Sequence, residues 1–234
     1  MWRLPLSTTS YHIIRFLTEK ASGKRGFLTL QRRYFGHIFT MNPSPSFKLL
    51  EATHWQDYEL LDSGDGLKLE RFGKYIFSRP ESQAMWSRAL NASEWQNAHA
   101  VFQPTGEESG GHWEFKKKVE EKWSMNYRDL KFWAMTTPGR HLGVFPEVAS
   151  HWDFMADSIR QQTTSPNILN LFGYTGLASL AAASAGASVT HVDASKKSVA
   201  WARENQELSG LSDKPIRWIV EDAVKYVQRE IKRG

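Results

Sequence analysis

The stretch ILNLFGYTGLASLAAASAGASVTHVDAS, residues 168–195, decides the fold. It opens on an apolar run, Ile168 to Phe172, bounded by Pro166-Asn167 on one side and a glycine turn on the other. Such a run reads as a buried parallel strand. Gly173-Tyr174-Thr175-Gly176 follows, then LASLAAASAG, a good helix former that Gly186 stops. SVTHVD is a second strand and ends on an acid. The order is a β-loop-α-β unit, and its right-handed crossover places the loop at the carboxyl ends of the strands.

Asp193 stands 20 residues after Gly173 and 17 after Gly176. An acid at the tip of the second strand is placed to accept two hydrogen bonds from ribose hydroxyls, which points to a nucleoside-bearing ligand. The alternative role for Asp193 is to cap the helix starting near Ser195. A dinucleotide fingerprint needs G-x-G-x-x-G, and Gly-Tyr-Thr-Gly-Leu-Ala lacks that spacing. A glycine pair with Tyr174 between suits a cofactor without phosphates, such as S-adenosylmethionine. A third unit, IRWIVEDAVKYVQREI, is strand, then Glu221-Asp222-Ala223, then a helix whose Val224, Val227 and Ile231 fit a packed face. Asp222 can receive an adenine amino group or cap that helix, and the two roles are compatible.

Three segments, NILNLFGYTG, VTHVDASKKSVAWARENQELSGL and IRWIVEDAVKYVQRE, resemble class I S-adenosylmethionine-dependent methyltransferases. Among these the chain is similar to the bacterial large-subunit ribosomal RNA methyltransferases for cytosine C5 and guanine N7 and their uncharacterised relatives. YELLDSGDGLKLERFGKYIFSRP and HLGVFPE extend the resemblance over roughly residues 55–234. It implies cofactor contacts at Phe172, Gly173, Tyr174, Thr175 and Gly176. It also implies ribose binding by Asp193 beside Ala194 and Ser195, adenine recognition by Asp222 and Ala223, and Phe145 and Glu147 near the cofactor. The family's Asp-Pro-Pro-type motif is absent, as is the cysteine nucleophile of its cytosine-C5 members. The chain therefore reads as truncated, with no assignable catalytic residue and an apolar sheet edge left bare where a fourth strand would pair. The expected activity is methyl transfer to an RNA base. The alternatives are a protein or small-molecule methyltransferase, or a non-catalytic remnant that binds the cofactor.

Upstream, DYELLDSGDGLKLERFGKYIFSRP alternates between apolar and polar residues with turns at SGDG and RFGK, and Pro80 ends it. This predicts a small antiparallel meander. ESQAMWSRALNASEWQNA reads as a short helix or loop, PTGEESGG as an exposed loop, and HWEFKKKVEEKWSMNYRDLKFWAM alternates again in parts. Lys116, Lys117 and Lys118 could contact phosphates, but Glu120 and Glu121 make a solvated face the stronger reading. The ten tryptophans could include base-stacking groups, although aromatics more often fill a core. Val148, Trp152, Met155 and Ile159 share one face of a helix.

The net charge of +5 is uneven. Residues 1–48 hold eight basic residues and one acid, leaving 22 basic against 24 acidic residues in the remainder. The folded part is thus close to neutral, which does not favour RNA binding. Residues 1–40 are rich in Arg, Ser and Thr, with a short helix expected over YHIIRFLTEK and a peptidase-like site in RRYFGH. They read as a mitochondrial matrix transit peptide lying outside the fold, or as an extension with translation beginning at Met41 and a cytoplasmic product. No cysteine is present, which excludes disulfides and zinc–thiolate sites within the sequence. No apolar run approaches the roughly 20 residues of a membrane helix, and no metal is expected. The organisation expected is a leader over 1–40, a linker over 41–54, a small antiparallel β-rich region over 55–146 and, over 147–234, a partial α/β domain, the N-terminal half of a Rossmann-like methyltransferase sheet. Oligomeric state is not legible.

Overall fold

The computed structural model describes residues 49–106 and 110–233, and the backbone of the strand β1, Ile14–Leu17. Alternating side chains and glycine turns generate the first sheet. β2 (Tyr58–Gly64), β3 (Leu67–Phe72) and β4 (Tyr75–Pro80) form the expected meander. Asp65 and Gly66 both have positive φ, as a two-residue hairpin turn of this hand requires. A short helix, α1 (Ala92–Gln96), is capped by Asn91, whose side chain accepts from the Glu94 amide. β5 (Ala100–Pro104) and β6 (Gly111–Phe115) complete a five-stranded sheet in the order β2-β3-β4-β5-β6. This sheet departs from the all-antiparallel expectation. α1 lies between β4 and β5 and returns the chain, so Phe77 and Ser78 pair in parallel with Ala100 and Val101. β7 (Trp123–Tyr127) and β8 (Leu130–Ala134) form a separate hairpin.

A 3-10 turn (Pro146–Val148) leads into α2 (Ala149–Arg160), which buries Trp152, Met155 and Ile159 as its periodicity predicts. β9 (Asn167–Leu171), α3 (Leu177–Ser184), β10 (Ser188–Asp193), α4 (Lys196–Leu208), β11 (Ile216–Val220) and α5 (Ala223–Arg233) follow in alternation. β9, β10 and β11 are parallel neighbours, so the α/β reading holds.

Three expectations are corrected. Ile14–Leu17, read as helix and as lying outside the fold, pairs antiparallel with β9 in the register Ile14↔Asn170 to Leu17↔Asn167. β9 is therefore not a bare edge, because the backbone of Ile14–Leu17 pairs along its outer side. Residues 32–37 and residues 41–48 of the expected linker lie outside the described residues, and its remainder, 49–54, includes Ala52 packed against the core. Second, Phe172 is not in the strand: β9 stops at Leu171, and Phe172 takes a left-handed φ of 55°. Third, α5 packs through Ala223 and Tyr226, while Val224 and Ile231 face solvent at 57% and 60% exposure. Among the described residues β11 ends the sheet on that side, so only part of the helix has a sheet beneath it.

The main apolar core is shared by the β-rich and the parallel parts of the chain. Phe72, Phe77, Trp123 and Phe132 of the β-rich part are continuous with Trp152, Ile168, Leu180 and Val189 of the parallel part. Trp95, Leu69 and Ala98 form a satellite on the other side of the first sheet. Most of the tryptophans are thus core, as the commoner reading of aromatics expects.

Candidate functional site

The loop after β9 is held in an uncommon shape. Phe172 and Tyr174 have left-handed φ of 55° and 50°, and Gly176 has φ 85° at the N-cap of α3. Non-glycine residues in this region cost free energy and cluster at ligand sites. Asp193 stabilises the loop: its Oδ2 accepts from the Tyr174 amide and its Oδ1 from the Ser195 amide, each at 2.8 Å. The cap of α4 is instead Ser195, whose Oγ accepts from the Ser198 amide. A carboxylate has about four acceptor positions, so each oxygen of Asp193 keeps one for a ligand. Asp222 does take the capping role, with Oδ1 accepting from the Lys225 amide at 2.9 Å.

The remaining sequence-predicted residues divide by burial. Phe172 is 48% exposed, and Ala194, Ser195 and Asp222 are exposed at the same carboxyl edge. Gly173, Thr175, Gly176 and Ala223 are buried beneath it. Thr175 Oγ1 donates to the Gly143 carbonyl at 2.6 Å, so its hydroxyl ties the loop to the segment before α2. That segment supplies the opposite wall of a crevice, with Val144, Phe145, Val148 and His151 facing Tyr174 and Ala178. The rings of Phe145 and Tyr174 lie 5.4 Å apart. Glu147 is exposed nearby on the 3-10 turn. Burial pushes the Tyr174 hydroxyl up to about 12, partly offset by the Gly143 amide, so it stays protonated as a donor.

The supporting residues were not anticipated. α4 turns Trp201, Asn205 and Ser209, spaced four apart, toward the open edge of β8. Ser209 Oγ accepts from Lys131 N and donates to Lys131 O, Asn205 Oδ1 accepts from Trp133 N, and Trp201 Nε1 donates to Trp133 O. Trp201 and Asn205 take the two backbone groups of Trp133 itself, and the step from Asn205 to Ser209, about 6 Å along the helix, is close to the roughly 6.7 Å from Trp133 to Lys131 along the strand. Asn205, fully buried, also donates from Nδ2 to the Thr175 carbonyl at 2.9 Å. The hairpin, α4 and the Gly173–Gly176 loop are thereby joined through one amide side chain. The available signal was a polar residue on the buried stripe Val199, Ala202, Asn205.

Beneath the loop lies His191, with no exposed surface, bonded through Nδ1 to Ser179 Oγ at 3.0 Å. Asn170 Nδ2 donates to the same hydroxyl. Burial pushes the His191 imidazole down to about 4, with Asp193 pulling weakly the other way. His141, whose ring is 4.9 Å from Phe145, is also lowered to about 4, first by burial and then by Arg79 and Arg140. Both folded values lie below the roughly 6.5 of an unfolded histidine. The unfolded chain therefore binds more protons between these values, so this contribution is full above pH about 6.5 and lost as pH falls to about 4. Urea midpoints measured across that window should fall on acidification, and less steeply in His191→Gln.

Among the described residues no group of three or more His, Cys, Asp or Glu is arranged to hold a metal, and no helix is long and apolar enough to cross a membrane. No protein-family model matches the chain. The structure superposes on the SAM-dependent methyltransferase from Agrobacterium tumefaciens with a TM-score of 0.76 and 48% identity, over 81% of this chain and 60% of that one. The fold is that of the class I S-adenosylmethionine-dependent methyltransferases. Curated relatives agree. The ribosomal RNA large subunit methyltransferase K/L of Shewanella oneidensis is 32% identical over 143 residues, and its Shewanella baltica counterpart 41% over 71. The matches cover 60% and 30% of this chain but only 20% and 10% of those proteins. In the methyltransferase fold the loop, Asp193 and Asp222 occupy the carboxyl edge of the parallel strands, where ligands bind in open α/β sheets.

Proposed function

We propose that the chain binds S-adenosylmethionine across the tips of β9, β10 and β11, as the methyl-donor module of an RNA-modifying methyltransferase. The observation that carries this reading is Asp193, which shapes the Gly173–Gly176 loop and keeps acceptor capacity for a ribose diol. The chemistry of the edge fits the rest of the cofactor. Phe172 and Val220, 48% and 50% exposed, offer apolar surface for a base. Asp193, Glu221 and Asp222 place three carboxylates at the strand tips, with Glu221 paired to Arg229. Carboxylates there suit a ribose diol and a sulfonium cation. When bound, that cofactor supplies an already activated methyl group. The chain's own residues orient it and, through Phe145 and Val144, shield it from water. The RNA acceptor rests on the rRNA methyltransferases among the relatives.

Calorimetric titration of S-adenosylmethionine into the full chain is expected to show saturable single-site binding. Asp193→Ala, with circular dichroism as a folding control, should weaken it at least tenfold, since it removes hydrogen bonds to a charged acceptor worth about 1.5–3 kcal/mol. Equal affinity in the two proteins would defeat this assignment.

A further inference from the structure

Among the described residues Trp86 alone of the tryptophans is exposed, at 57%. It lies on the loop between β4 and α1, next to Met85 at 88% exposure. Scattered apolar residues on a surface need no explanation, but this loop is fixed by an unusual number of bonds. Asp62 is 8% exposed and accepts from four donors: the amides of Ser63, Ala89 and Leu90 and the Trp95 indole. Burial alone would raise its carboxyl, but these donors outweigh it and hold it below the ordinary range. The Asp65 and Gly66 amides donate to the Trp86 and Ala84 carbonyls. Arg88 stacks over Trp95 at 4.2 Å and pairs with Asp65. Gly64 lies so close to Ser87 and Arg88 that a Cβ would fall 2.5 Å from the Arg88 amide. The Trp86 indole N–H donates to Ser63 O at 2.8 Å, so the polar edge is satisfied and the ring is what remains to offer.

The loop also follows the end of β4 that meets the segment before α2. It leaves β4 just after Arg79, whose Nη1 donates to the Arg140 carbonyl at 3.0 Å. Arg140 lies in the segment that carries Phe145 to Tyr174. Its side chain is exposed and has no carboxylate within ion-pair distance among the described residues, a free cation for a phosphate. A rigid aromatic face with an unpaired cation at the same end of the sheet matches an unpaired nucleotide better than an apolar protein surface.

We infer that Trp86 is a stacking platform for an unpaired nucleobase of the RNA substrate, with Arg140 on its phosphate. The inference rests on the RNA reading above and not on the cofactor assignment alone. It is tested by fluorescence anisotropy of the full chain with a fluorescein-labelled single-stranded oligoadenylate. Trp86→Ala should weaken binding about five- to hundredfold, the loss of one base–aromatic stack. Trp86→Phe, which loses the indole N–H but keeps a ring, should retain most of the affinity, and S-adenosylmethionine binding should be unchanged in both. Unaltered RNA affinity in Trp86→Ala would overturn the inference. So would a wild-type chain that binds S-adenosylmethionine but no oligoadenylate, an outcome that leaves the cofactor reading standing. A Trp86→Ala variant that changes sedimentation instead of RNA affinity would assign the patch to contact between copies of the chain.

Discussion

Glu70→Ala is expected to destabilise the folded chain by about 3–5 kcal/mol, the cost of leaving a buried charge without its partner. Glu70 and Arg79 are 1% and 5% exposed and form a two-point pair, with Nε to Oε2 and Nη2 to Oε1 both at 2.8 Å. Tyr58 donates its hydroxyl to Glu70 at 3.0 Å, and burial together with that carboxylate pushes the phenol well above its usual range. Removing Glu70 strands the guanidinium and the phenol in a wall that neither can leave for water. Urea unfolding should show a lower midpoint at unchanged slope. The double variant Glu70→Leu/Arg79→Met should recover most of the loss, because replacing both charges with apolar groups of similar size is often neutral. A double variant as unstable as Glu70→Ala would mean that the pair itself, and not the stranded cation, carries the stability.

Gly173→Ala is the counterpart at the Gly173–Gly176 loop. An added Cβ would lie 2.2 Å from Cε1 of His191 and 2.4 Å from its Nδ1. The ring cannot swing aside, because it is enclosed, bonded to Ser179 and set 4.6 Å from Trp218. Overpacking of this kind costs about 1–3 kcal/mol. Because the loop is the softer partner, most of that strain should move Tyr174 away from Asp193. S-adenosylmethionine binding is then expected to weaken by about tenfold, the equivalent of 1.4 kcal/mol. Adding His191→Ala makes room for the methyl group and should restore part of the affinity, a coupling between neighbours that a double-mutant cycle would read. Independent, additive effects of the two substitutions would remove the steric account.

The parallel half of the fold was legible because local patterns encode it. Apolar runs, the glycine turn and the spacing from Gly173 to Asp193 each follow from neighbours in sequence. The loop's supports were not legible, for the opposite reason. Glu70 and Arg79 sit on adjacent strands among alternating polar residues, and nothing in either strand marks them as a buried pair until the sheet is placed against the hairpin. Asn205 looks like one more polar residue of a charged helix, and its partners Trp133 and Thr175 lie 72 and 30 residues away. Phe172 was drawn into the strand because an apolar residue after an apolar run carries no sign of a left-handed φ. The parallel pairing of β4 with β5 depends on where α1 returns the chain, which alternation within either strand does not specify.

The rungs of α4 also constrain the order in which the protein can be finished on the ribosome. β8 is complete once Ala134 has emerged, yet its outer backbone groups wait for side chains that follow 68 to 78 residues later. At about 5–20 residues per second of synthesis, the nascent hairpin spends several seconds with an open edge. Throughout that interval the edge is available for pairing with a neighbouring chain, and the arrival of Ser209 closes the interval.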